Sequence, residues 1–175
     1  SDYGPMYVFF DTDITLTSAN QYFICASEFI IFGSETLNED WTRPVITIDG
    51  VTDYPGLVQN GTEFNNGYSA IAIVNLEITT QNSSTLAEYG GWFGQRYFAK
   101  GIGITGLNAI IVNCYTDAPV RQNCGGIIGG HSASYGGYIV LFQCQSTGEI
   151  GQSAGGICGP YVSYSNGSAN LYFCF

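Results

Sequence analysis

Cys124-Gly125-Gly126-Ile127-Ile128-Gly129 and Ala154-Gly155-Gly156-Ile157-Cys158-Gly159 stand thirty residues apart and align position for position. The same shift lays Cys114 on Cys144, Cys144 on Cys174, Val120 on Ile150 and Gln122 on Gln152. Self-similarity at a fixed period is the signature of a repeat architecture. An earlier copy, Gly90-Gly91-Trp92-Phe93-Gly94, precedes Gly125 by 35 residues, which predicts a longer unit with an insertion within Gln95 to Asn108. Three units are expected, the last incomplete.

Inside one unit the apolar runs are short: Tyr138 to Phe142, Glu149-Ile150, and Gly156-Ile157-Cys158, separated by Gly, Ser, Asn or Gln. They read as strands between turns. A helical repeat needs an apolar stripe of period 3.6 over ten or more residues, and none of these segments offers one. A propeller blade needs four strands and about 40 residues. Three short strands fit thirty residues, so the expected fold is all-β, a right-handed parallel β-helix with one coil per repeat. Residues of equal phase would then stack on neighbouring coils about 4.8 Å apart. Cys114, Cys144 and Cys174 are expected to form an inward-facing column. Gly125, Gly126 and Gly129, and likewise Gly155, Gly156 and Gly159, are expected at corners where the backbone turns tightly or takes positive φ.

Outward from the repeats, composition agrees. The chain of 175 residues has Gly 24, Tyr 13 and Phe 11 against four Lys plus Arg, a balance that disfavours helices and suits pleated, half-buried surfaces. Charge divides it. Residues 1–88 hold twelve of the fourteen acids and one base, a net −11, whereas 89–175 carry +1. Residues 1–88 are expected to form irregular coils of the same solenoid, from Ile14-Thr15-Leu16-Thr17, Tyr22 to Cys25, Phe29 to Phe32, Val45 to Ile48, Ala70 to Val74 and Leu76-Glu77-Ile78. The stretch Gly33 to Pro44, with Glu35, Glu39, Asp40 and Trp41, is expected to project as a loop. The net charge of −10 gives no basic surface for phosphates, so nucleic acid is not an expected partner. No apolar run approaches the ~20 residues of a membrane-spanning helix. Ser1-Asp2-Tyr3-Gly4 has neither a charged start nor an apolar core, so any export signal is expected to lie outside this stretch. Tyr172-Phe173-Cys174-Phe175 ends in mid-strand by phase, which predicts a continuation or a covering subunit.

These repeats, with Asn113-Cys114-Tyr115, Cys144 to Ile150, Asp49 to Leu57 and Tyr89 to Gln95, resemble GLUG-type glycine-rich repeats, which occur in bacterial surface adhesins. The fuller combination is similar to glycine-rich repeat proteins encoded by giant DNA viruses, from about Ile46 to the end. The chain departs from the pattern by placing Cys158 in the usual apolar pair, and it has no Asp-rich nonapeptide of a calcium β-roll. The resemblance implies a structural or surface role with no activity attached.

Candidate sites were weighed on chemistry. Polysaccharide lyases and hydrolases of β-helix fold need paired acids, for which Asp11 with Asp13 and Asp49 with Asp53 are the candidates; turn and cap carboxylates are the expected reading, and no catalytic residue is assigned. His131, the single histidine, is expected at a solvent-facing turn whose phase mate is Tyr161. No Cys-x-x-Cys pair exists, so neither metal nor cofactor is expected. Stacked cysteines point the same way, a poor match to disulfide torsion, and the six thiols are expected to be free and to pack as small hydrophobes. Asn60, Asn82 and Asn166 begin N-glycosylation sequons. Trp92 and Tyr97 are candidates for a glycan platform along one face, with core filling and stacking the simpler reading of most of the aromatics. The functional expectation is a structural or attachment element of a virion or extracellular surface that self-assembles as a homo-oligomer, fibre or shell. The alternatives are a carbohydrate-binding adhesin and, after it, a polysaccharide-active enzyme.

Overall fold

The computed structural model describes residues 4–34, 43–101 and 108–175. Residues 35–42 of the expected projecting loop and 102–107 of the expected insertion fall outside these residues. Among the described residues the structure is all-β, without helix. Thirteen strands are present: β1 (Met6–Phe9), β2 (Ile14–Leu16), β3 (Phe23–Ile24), β4 (Ile30–Gly33), β5 (Val45–Asp49), β6 (Val58–Gln59), β7 (Ile71–Val74), β8 (Glu77–Gln81), β9 (Ala109–Val112), β10 (Tyr115–Thr116), β11 (Tyr138–Phe142), β12 (Gln145–Ser146) and β13 (Ser168–Tyr172).

They form three sheets, ordered β1-β4-β7-β9-β11-β13, β12-β10-β8-β5-β2 and β3-β6, and every pairing is parallel. The chain visits the sheets in rotation. Single parallel bridges, Val58↔Gly94, Gly94↔Ile128 and Ile128↔Cys158, carry the third side onward past β6. Residues on both sides of position 88 contribute strands to the same two larger sheets.

The return distance is uneven at first and then constant. In the first sheet Met6 pairs with Ile30, Ile30 with Ile71, Ile71 with Ala109, Ala109 with Ile139 and Ile139 with Ala169. The last two steps are thirty residues, as the repeat requires. The earlier glycine copy pairs differently from expectation: Gly91 lies opposite Gly125 and Gly94 opposite Ile128, an offset of 34 instead of 35. Size explains the slip. A Cβ on Gly94 would sit 3.2 Å from Ile128 Cγ2 and 2.8 Å from the Phe98 ring, so the bare glycine makes room for both.

The core alternates as strands require. Ile30, Phe32, Ile71, Ile73, Ala109, Ile111, Ile139 and Leu141 point inward from the first sheet and meet Ile46, Ile48 and Ile78 from the second. Each such side chain contributes roughly 1.5–3 kcal/mol on burial. Leu76, Cys114 and Cys144 continue the column as fully buried residues. The thiols form a ladder: Cys114 Sγ–H faces the Ile73 carbonyl at 3.7 Å, Cys144 that of Ile111 at 3.4 Å, and Cys174 that of Leu141 at 3.5 Å. All six cysteines are free, and burial pushes the thiols of Cys25, Cys144 and Cys158 up to about 12.

The corner chemistry departs from expectation. The positive φ values fall on Asn75 (55°), Asn113 (52°), Gln143 (53°) and Phe173 (53°), the residues just before the thiol column, and on none of the repeat glycines. Asparagine tolerates this region better than most residues. Asn113 Nδ2–H also donates to Asn75 Oδ1 at 3.0 Å, and Arg43 Nε–H donates to the Asn113 carbonyl at 2.8 Å. All the repeat glycines except Gly156 are required by close approach instead. A Cβ on Gly125 would fall 2.0 Å from the Ile128 carbonyl oxygen, and one on Gly126 1.9 Å from that of Gly156. Phe173 takes the corner position, so the last strand ends at Tyr172, and residues 173–175 lie past it rather than in mid-strand. Strand β1, absent from the sequence reading, pairs with β4.

Candidate functional site

The third side of the molecule builds one polar-aromatic constellation. Three residues beyond each bridge position come Tyr97, His131 and Tyr161, with φ of 66°, 57° and 60°. Left-handed backbone costs an L-residue roughly 1–2 kcal/mol. Two interactions offset it here. The Tyr97 N–H donates to the Gly130 carbonyl and the His131 N–H to that of Pro160, both at 3.0 Å. The rings stack, Tyr97 on His131 at 5.1 Å and 25°, and His131 on Tyr161 at 4.9 Å and 22°, each pair worth about 0.5–1.5 kcal/mol. Tyr89 meets His131 edge-on at 5.8 Å.

Two cations border this ladder. The Arg96 guanidinium lies 4.6 Å from the Tyr89 ring centre and 4.8 Å from that of Tyr97, and its Nη2–H donates to Tyr97 Oη at 3.1 Å. Its Nε is buried without a partner. Lys100, 7% exposed, donates from Nζ to the carbonyls of Thr62 (3.2 Å) and Glu63 (2.6 Å) and sits 5.1 Å from the Tyr135 ring centre. Among the described residues the one ion pair is Arg121 with Asp53, so neither cation meets a carboxylate. Burial, and then the Arg96 charge, hold the His131 imidazole below its usual range, against a weaker opposing pull from Glu63. Neutral imidazole is the form that stacks at pH 7.

The sequence candidates distribute as follows. Trp92 is 0% exposed, stacked on Tyr54 at 6.3 Å, and Tyr97 is 9% exposed beneath Arg96. Neither ring presents a platform, because both are buried by their neighbours, Trp92 by Tyr54 and Tyr97 by Arg96 and His131. The exposed rings on this side are Tyr161, Tyr164 and Tyr135, with Tyr161 at 60%. Asn60 is 1% exposed, its Nδ2–H donating to the Tyr68 carbonyl and its Oδ1 accepting the Tyr68 N–H, so this sequon is closed in the fold. Asn82 and Asn166 are exposed. Asp13 Oδ1 accepts the Val45 N–H at 2.8 Å, Asp49 accepts Asn82 Nδ2–H at 2.5 Å and Asp53 pairs with Arg121 at 2.6 Å, so these acids serve separate local bonds. A cleft of about 480 Å³, lined by Ile24, Cys25, Gln59, Thr62, Asn65 and Tyr68 among others, lies beside Asn60. The sequence reading paired His131 with Tyr161 but missed Arg96; the 34-residue step from Tyr97 to His131 is the signal that would have found it.

The second notable surface is the outer face of the six-stranded sheet. The positions between the inward ones are Tyr7 and Phe9 on β1, Ile31 on β4, Ala72 and Val74 on β7, Ile110 and Val112 on β9, Tyr138, Val140 and Phe142 on β11, and Asn170 and Tyr172 on β13. No charge occurs among them. The corresponding face of the second sheet carries Asp13, Thr15, Thr47, Glu77, Thr79 and Tyr115. Comparison with family models, with curated proteins and with solved structures finds no match for this chain.

Proposed function

We propose that the chain is a length of right-handed parallel β-solenoid that serves as a non-enzymatic structural or attachment element on the outside of a particle, a virion or a cell. The observation that carries this reading is the constant register of the last returns, which sets cysteine over cysteine and aromatic over aromatic along one axis. Main-chain hydrogen bonds then run along the whole stack, and four Lys plus Arg leave trypsin-like proteases little to cut. The likeness of the repeats to those of giant-virus proteins and surface adhesins supports the outer location. Antibody-gold labelling of intact source particles, with a mass-spectrometric copy count, tests it: dense, regular labelling is expected, and sparse or soluble signal would overturn it.

A second reading, attachment through carbohydrate, is favoured by Arg96, which among the described residues meets no carboxylate and borders the ring ladder that ends in exposed Tyr161. Binding of acidic oligosaccharides that falls at least tenfold in Arg96→Gln or Tyr161→Ala would support it, and equal binding by these variants would remove it.

A further inference from the structure

We propose that two copies of this chain pair face to face through the outer surface of the six-stranded sheet. The inference rests on the solenoid reading and names the partner of one side. Antiparallel and mixed sheets can leave one face to water, but parallel strands that are apolar on both faces are ordinarily covered on both. Here the inward row is covered by the core, whereas Ile31, Ala72, Val74, Ile110, Val112, Val140 and Phe142 are not among the side chains packed against it. Each is half-buried, and Phe142 also meets the Phe173 ring edge-on at 5.7 Å.

The occupant follows from charge, shape and area. A nucleic acid or anionic lipid surface would be repelled by a chain of net charge −10. The face itself is uncharged, so a second copy meets no like charge at the contact. Six strands at about 4.8 Å and five residues at about 3.3 Å span a face of about 29 by 16 Å. Two such faces remove about 900–950 Å² from water, which is above most lattice contacts and at the weak, reversible end of specific interfaces. Rows of Val and Ile spaced by the strand repeat also fit the aligned packing of two sheets about 10 Å apart. Because the same face serves both copies and the second sheet's outer face is polar and acidic, the contact is isologous and closes at two copies, without growing into a fibre. The pair axis then runs near β7 and β9, where Ala72, Val74, Ile110 and Val112 lie.

Sedimentation velocity over about 1–500 µM tests the pairing, since an interface of this size corresponds to micromolar affinity or weaker. The expected result is a mass rising from the 18.8 kDa of one chain to that of two. Ile110→Asp is expected to weaken pairing at least a hundredfold, and Thr79→Asp, on the outer face of the second sheet, to leave it unchanged. Thermal unfolding of each variant reports whether the fold is kept, and Val140→Asp repeats the test on another strand. A wild-type chain that remains monomeric, a dimer that survives both aspartates in folded variants, or an open polymer would each overturn the proposal. Gold labelling would be untouched by such a failure, so the two readings fall separately.

Discussion

Alanine at Gly126 and alanine at Gly156 should have opposite effects, although the two glycines occupy the same position of the same motif thirty residues apart. Neither has positive φ, so a methyl group is not forbidden by the backbone at either. At Gly126 the new Cβ would lie 1.9 Å from the Gly156 carbonyl oxygen and 2.3 Å from Ser146 Oγ, where ordinary contacts need 3.4 Å or more. Relief requires the next layer to move by more than an ångström, which would break the 3.0 Å bond from the Gly126 N–H to the Gly155 carbonyl. Overpacking of about 1–3 kcal/mol and a lost hydrogen bond of about 1 kcal/mol give a destabilisation of about 2–4 kcal/mol. At Gly156 the nearest atom is Ile150 Cδ1 at 3.8 Å, an ordinary contact. There alanine should stabilise by about 0.4–1 kcal/mol, by restricting the unfolded chain. Urea unfolding followed by circular dichroism, with a slope of about 2 kcal/mol per molar, would separate the two midpoints by about 1–2.5 M. Coincident midpoints would refute the reasoning, because they would mean that no layer lies over Gly126 at the thirty-residue register.

Two further outcomes follow from burial. The Glu77 carboxyl is held above the usual range, first by burial and then by Asp117 and Asp13, with Arg43 opposing. The folded chain therefore binds this proton more tightly than the unfolded chain, and stability is lost as pH rises from the ordinary carboxylate range through the raised value. Glu77→Gln should raise the melting temperature at pH 7 and leave it unchanged near pH 3; an equal effect at both pH values would contradict this. A thiol-specific reagent should modify half-exposed Cys174 first and reach Cys114 and Cys144 only at the rate of unfolding, checked by peptide mass spectrometry. Rapid modification of Cys144 in the native chain would sink the ladder.

The repeat was legible because glycine and cysteine tolerate few replacements where backbones nearly touch: a Cβ at Gly125 or Gly155 meets a carbonyl oxygen within 2 Å. The all-β parallel character followed from those fixed points and the earlier strands from their apolar runs, whereas in the expected strands Glu149-Ile150 and Gly156-Ile157-Cys158 only Ile150 and Cys158 pair, each through a single bridge. The residues that bend the chain were harder to read. Left-handed corners at Tyr97, His131 and Phe173 are stabilised by the neighbouring layer, through stacking and interlayer N–H donation, and nothing local announces them. Trp92 stayed open to a surface as well as a core reading, because the Tyr54 ring that stacks on it lies far from it in the sequence. The Arg96 setting escaped for a related reason: Tyr89 and Tyr97 both lie near it in sequence, but His131 arrives through a 34-residue return.

The final returns of thirty residues have a consequence for length. The return from β9 to β11 also carries β10 to β12, so one thirty-residue return adds a strand to each of the two larger sheets; on the proposed solenoid it advances the stack by about 4.8 Å. A tandem duplication of residues 115–144, joined in phase, would therefore act as a ruler, lengthening the protein by one layer while leaving every other pairing as it was. An insertion of a single residue inside β11 would instead reverse which side chains face the core beyond that point.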